Sequence, residues 1–185
     1  MAEAATRLMT FEEFTALDLE GRYELVNGKL EELVSPKPRH GWTGGKIFSL
    51  LDPYLEQYDP RGFWAVELDI PTVPYSGRRP DFAYFSGEDA AKRVDLDANR
   101  VTGVPTLVVE VISDEDAARD LVVKREEYAR AGIPHYWILD PSRKTVATLE
   151  LRDGAYAETG ILARGEVLTT PLFPGLKIEL DRLFR

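Results

Sequence analysis

The stretch that most limits what this chain can fold into is Thr106-Leu107-Val108-Val109-Glu110-Val111-Ile112. A near-continuous apolar run of this length, rich in β-branched side chains, has no polar face to offer water. It suits a central strand covered on both sides. Candidate covers lie on either side in sequence. Ile47, Leu50, Leu51, Tyr54 and Leu55 recur at three- and four-residue spacing in a helix over about Thr43–Tyr58. A second helix over Ala117–Ala131 stops at Gly132, with Pro134 two residues later. Strands are expected at Phe63–Ile70, Asp81–Phe85 and Tyr136–Leu139. The implied class is α/β (α+β), a mixed central sheet flanked by helices.

Both ends of the chain add hairpins. Thr10 caps Phe11-Glu12-Glu13-Phe14, with Glu13 placed to close a capping box. Asn27-Gly28 between two β-rich arms calls for a type I′ turn, pairing Leu25 with Leu30 and Glu24 with Glu31. One hairpin face is then mostly apolar and the other charged. Pro36–Gly45 reads as a loop and Ser86–Gly103 as a surface loop or short helix. Asp153-Gly154 marks a second hairpin, and Pro171–Arg185 adds a strand and a terminal turn. The 185 residues suit one domain. Its core spans about 40–141, with an N-terminal helix and hairpin at 8–34 and a C-terminal hairpin extension at 142–185.

Composition removes several chemistries. With no cysteine there is no disulfide framework, thiolate metal site or cysteine nucleophile, which fits a reducing cytoplasm. His40 and His135 are the only histidines, too few for a multi-histidine metal site. Neither a membrane-length apolar run nor a signal pattern in Met1–Thr10 is present. The 23 basic and 32 acidic residues give a net charge of −9. That is the wrong sign for a nucleic-acid binder, so such a role would need a local cationic patch or metal ions.

Two charges sit where a core is expected. Glu110 interrupts the central strand, and a buried carboxylate is costly unless paired, metal-bound or beside a wet cleft. Lys124 lies on the apolar stripe Ala117, Leu121, Lys124, Tyr128, Ala131, whose steps of four, three, four and three mark a buried helix face. Each has a plainer explanation: a strand-end glutamate bonded to an arginine, and a lysine snorkelling to water. Together, a strand glutamate and a lysine 14 residues later can meet across one strand–helix layer. Asp81 is a third such charge, entering the strand after Pro80, with a turn or cap role as its alternative. Two carboxylates on adjacent strands make a hard oxygen site suited to Mg²⁺ or Mn²⁺. A lysine beside them can hold water or offset charge developing on a phosphate. Without metal, such clustered acids should raise at least one carboxyl pKa.

This constellation resembles the PD-(D/E)XK nuclease superfamily, and more closely the bacterial Uma family of restriction-endonuclease-like proteins. The matching stretches are Tyr23-Glu24-Leu25-Val26-Asn27-Gly28, Arg39-His40, Arg79-Pro80-Asp81 and Pro105–Ser113. They continue through Arg119-Asp120-Leu121, Lys124, Tyr128–Pro134 and Tyr136–Pro141. Their order and spacing carry the likeness, from about Leu8 to the C-terminus. The resemblance implies a Mg²⁺- or Mn²⁺-dependent endonuclease acting on nucleic acid, with DNA expected. Asp81, Glu110 and the Val111 carbonyl would be metal ligands and Lys124 the catalytic lysine. Ile112 occupies the position of the superfamily's usual lysine, and the likeness is to nucleases whose lysine has moved to the next helix. Glu24 or His40 would fill the corner of a missing helix glutamate. Their alternatives are a solvated hairpin charge and a loop histidine touching phosphate or solvent. Asp120 is a further supporting candidate, and Asp114-Glu115-Asp116 departs from a more basic stretch in relatives.

Lys37, Arg39, Lys46, Arg78 and Arg79 are the cations expected to meet nucleic acid. A homodimer is expected from the sheet edges and from the pairing common in restriction-type nucleases. The competing function is a catalytically weak or inactive nuclease-fold scaffold, or a chain that needs a partner for DNA affinity.

Overall fold

In the computed structural model, which describes residues 7–98, 100–112 and 117–184 with the side chains of 117–120 excepted, the apolar run forms a five-residue strand, Leu107–Val111. The elements in chain order begin α1 Phe11–Thr15, β1 Tyr23–Val26, β2 Lys29–Glu32, α2 Pro38–Tyr58, β3 Phe63–Ala65, β4 Ile70–Pro71, β5 Gly77–Arg78 and β6 Phe82–Phe85. Next come α3 Gly87–Arg93, β7 Val94–Asp95, β8 Arg100–Val101, β9 Leu107–Val111, α4 Ala117–Ala131 and β10 His135–Asp140. The last are β11 Thr145–Arg152, β12 Ala155–Ala163, β13 Val167–Thr170, β14 Phe173–Glu179 and α5 Leu180–Leu183.

The main sheet has six strands in the order β12-β11-β10-β9-β6-β3, with β9 and β10 parallel and the other pairs antiparallel. Strand β9 therefore lies inside the sheet, as its apolar run requires. Alternation then sorts its side chains. Leu107, Val109 and Val111 pack with Ile47, Leu51 and Leu55 of α2 and with Leu180, Leu183 and Phe184 at the C-terminus. Val108 packs on the other face with Tyr128, Ala129 and Ile133, of and just after α4. Glu110 shares the parity of Val108, so its carboxylate enters the layer that α4 covers.

A second sheet, β2-β1-β5-β4, holds the N-terminal hairpin. The capping box at Thr10 and Glu13 forms as expected. Asn27 and Gly28 both take positive φ, and Leu25–Leu30 and Glu24–Glu31 pair in the expected register. The division into one apolar and one charged face does not hold. β2 is wholly exposed, while Glu24 and Leu25 are both buried, because the other edge of β1 pairs with β5.

Three expectations change. Helix α2 starts at Pro38, not Thr43, although Gly41, Gly44 and Gly45 each cost a helix about 1 kcal/mol. Tertiary contacts hold these first turns: Thr43 is buried, and Gly44 lies close to Val111 Cγ2. The strand expected over Phe63–Ile70 is split. Its ends join different sheets, and between them Glu67 adopts φ +51, outside the extended region. Ser86–Gly103 is neither loop nor helix alone, but a seven-residue helix followed by the β7–β8 hairpin. At the C-terminal end, β11 and β12 extend the main sheet, with Asp153 and Gly154 in the left-handed turn between them.

Candidate functional site

Glu110, Lys124 and Asp81 meet at one end of the main sheet. Along the β6–β9 ladder Phe82 faces Val109 and Ala83 faces Val108, so one step further sets Asp81 opposite Glu110. Asp81 Oδ2 accepts the Val111 backbone N–H at 2.7 Å. Its other near neighbour is His40 Nε2 at 3.3 Å, brought there by the first turn of α2. The helical start at Pro38, missed in the sequence, is what aims His40 at this carboxylate.

Lys124 does not snorkel. It is buried, with Nζ 3.3 and 3.4 Å from the two oxygens of Glu110 and 3.4 Å from Glu24 Oε1. Tyr128, one turn further along α4, donates its hydroxyl to Glu110 Oε1 at 2.6 Å. Glu110 thus has a lysine and a tyrosine as partners, where an arginine was the plainer alternative. Glu24 is also buried rather than solvated. Besides Lys124, it accepts from Arg78 Nη1 at 2.9 Å and from the Arg79 backbone N–H at 3.0 Å.

Arg78 was expected to face nucleic acid. It is only 3% exposed, and its guanidinium is committed to Glu24 and, through three contacts of 2.6–3.1 Å, to Glu127. It braces the site from inside. Lys37 and Arg39 are exposed at the start of α2, and Lys46 lies 5.8 Å from the Trp42 ring centroid. Arg79 is half-buried and forked onto Asp69 at 2.6 and 2.7 Å. The Asp120 side chain and the stretch Asp114-Glu115-Asp116 lie outside the described residues.

These surroundings divide the acids electrostatically. Burial pushes the Glu110 carboxyl up to about 7; Lys124 opposes the shift and Asp81 adds to it. The direction is the one expected for clustered acids, but burial contributes more to it than their mutual repulsion. Burial would also raise Glu24, but Lys124, Arg78 and the Arg79 N–H outweigh it and hold its pKa below the usual value. His40 is raised, chiefly by its hydrogen bond to Asp81. Burial and the nearby Glu110 charge hold the Tyr128 hydroxyl in its neutral, donating form.

Among the described residues, no group of three or more His, Asp or Glu side chains is gathered so as to hold a metal ion. The donor set is smaller: Asp81 and Glu110, both hard oxygen ligands. That set matches Mg²⁺, which commonly takes one or two carboxylates and keeps several waters. A cation there would also favour the charged form of Glu110, which burial disfavours.

Comparison with known proteins agrees with this architecture. The family Uma2, described as "Putative restriction endonuclease", matches residues 11–181. The chain belongs to the Uma2 family. A solved structure similar to it is described as a putative nuclease belonging to DUF820 from Anabaena variabilis ATCC 29413. The identity is 18%, covering 95% of this chain and 97% of that one, with a TM-score of 0.74. At that identity the likeness speaks to the fold, and the fold of this Uma2 chain is nuclease-like. No curated protein matches it. No helix among the described residues is long and apolar enough to cross a membrane.

Sequence reasoning missed Tyr128 and Glu127 as polar partners. Tyr128 lay on the apolar stripe, where a tyrosine reads as core, and nothing local marks Glu127 as the partner of an arginine 49 positions away.

Proposed function

We propose that this chain is a divalent-metal-dependent endonuclease that hydrolyses phosphodiester bonds in nucleic acid, with DNA as substrate. The observation that carries the reading is the position of Lys124 Nζ, buried between Glu110 and Glu24. Asp81 lies on the strand adjacent to Glu110. Asp81, Glu110 and the Val111 carbonyl would hold Mg²⁺ or Mn²⁺. When bound, the ion would stabilise charge on the phosphorane-like state and the departing 3′ oxygen and ease deprotonation of water.

The protein's own groups do the rest. Lys124 orients the attacking water and offsets charge growing on the phosphate. Glu24 holds the Lys124 ammonium in place, and the Tyr128 hydroxyl fixes the Glu110 carboxylate. His40 orients Asp81. Lys37, Arg39 and Lys46 would meet phosphates along the strand, joined by Arg79 once it leaves Asp69. Two copies, acting as a cytoplasmic homodimer, would cut two strands.

The test is cleavage of plasmid and single-stranded DNA with Mg²⁺ or Mn²⁺, run beside Asp81→Asn and Lys124→Ala. Metal-dependent cleavage by the wild type, reduced by about 10²–10³ in Lys124→Ala, supports the reading. Ile112 at the superfamily's lysine position and the net charge of −9 favour a second reading, a catalytically inactive scaffold. Absence of cleavage under every condition, co-purified partners included, selects that one.

A further inference from the structure

Two arginines flank the candidate site, and each is held by an acid from the same short loop. Arg22 lies two residues before Glu24, and Arg79 two residues before Asp81. The segment between β3 and β4 supplies the acids. Glu67 contacts Arg22 Nη2 at 2.7 Å, and Asp69 takes Arg79 in a two-pronged contact of 2.6 and 2.7 Å. Glu67 also acts on Arg79 through its charge, and Arg22 on His40, so the four groups form one cluster at the edge of the site.

Three features separate this cluster from incidental surface ion pairing. Glu67 reaches Arg22 from a left-handed backbone, φ +51, which non-glycine residues adopt at a cost. The Arg22 Nε is buried and has no hydrogen-bond partner among the described residues, so its donor capacity is not fully used. Both arginine side chains are more buried than their acids, at 27% exposure against 44% for Arg22–Glu67 and 19% against 26% for Arg79–Asp69. The cations are thus the better anchored partners, and the acids the more accessible ones.

A guanidinium recognises carboxylate and phosphate through the same planar fork. We infer that Arg22 and Arg79 form a two-point phosphate site beside the candidate metal ligands, and that Glu67 and Asp69 occupy it in place of the ligand. The natural ligand is successive phosphates of a nucleic-acid backbone, an identity that rests on the proposed nuclease function. The acid loop competes for the arginines, so binding requires the 66–69 segment to release them. No bond is made or broken in this exchange.

The experiment measures binding of inorganic tripolyphosphate by calorimetry in EDTA, a readout that needs neither metal nor nuclease activity. The full chain is compared with Glu67→Gln/Asp69→Asn, with that pair plus Arg22→Met, and with Glu31→Gln/Glu32→Gln. The last removes equal charge from the exposed strand β2. The first pair should bind at least tenfold tighter than the wild type, Arg22→Met should reverse the gain, and the β2 control should not show it. Equal tightening in the β2 control, no tightening in the first pair, or a gain that survives Arg22→Met overturns the inference. A fluorescent oligonucleotide in the same buffer separates the two claims. Tripolyphosphate gain without oligonucleotide binding keeps the site and removes its nucleic-acid ligand.

Discussion

Lys124 Nζ lies 3.3 Å from Glu110 Oε1 across the layer between α4 and β9, with both side chains buried. One ammonium shared by Glu110 and Glu24 leaves Glu110 only partly compensated, and burial pushes its carboxyl pKa up. Lys124→Met should therefore destabilise the fold by about 3–5 kcal/mol, since buried Glu110 loses its cation and Glu24 keeps only Arg78. The loss should depend on pH. Glu110 binds its proton more tightly folded than unfolded, so its contribution is full below about 4.5 and fades as pH rises through about 7. Removing Lys124 raises the folded pKa further, and the deficit should be larger at pH 8 than at pH 5. Urea melts at the two pH values check this, and an equal deficit at both would be the contrary result.

The two histidines should titrate on opposite sides of the ordinary histidine value. Asp81 raises His40, whereas burial lowers His135. His40 thus contributes stability that is full below about 6.5 and lost as pH rises through its raised folded value. His135 contributes stability that is full above about 6.5 and lost as pH falls through its lowered folded value. Imidazole resonances followed by NMR read both groups. Asp81→Asn should bring His40 back toward its ordinary value and leave His135 unmoved.

Divalent metal should raise thermal stability through the same acids. At a Mg²⁺ or Mn²⁺ concentration ten times the dissociation constant, linkage gives about 1.4 kcal/mol. Differential scanning calorimetry should show the rise in the wild type and lose it in Asp81→Asn and Glu110→Gln. A rise of the same size in both variants would locate the binding elsewhere.

Arg78 should behave as a structural cation. Arg78→Met leaves Glu24 and Glu127 buried without their shared guanidinium, a loss of about 3–5 kcal/mol. Lys177→Met, at an exposed position, should change stability by no more than about 0.5 kcal/mol. Chemical denaturation of the two variants separates the roles.

Local signals announced the features that depend on local chemistry. Asn27-Gly28 set the hairpin register because the turn needs two left-handed residues. The stripe through Leu121, Lys124 and Tyr128 aimed Lys124 at the sheet because helical spacing fixes direction. What stayed hidden depends on distant partners. Arg78 sits in a turn-rich segment and is buried only because acids 49 and 54 positions away come to meet it. The start of α2 was obscured by three glycines whose low helix propensity is overridden by packing against the sheet. Arg22 went unnoticed because its partner Glu67 lies on a loop read as the middle of a strand.

The N-terminal hairpin belongs to a different sheet from β6 and β9, yet it delivers Glu24 to the ammonium that Glu110 also holds. The proposed site consequently straddles a seam. A slip of a fraction of an ångström between the two sheets would hand the lysine from one acid to the other, retuning the chemistry with every strand intact. Heat or mild denaturant should therefore silence such a centre before the protein melts.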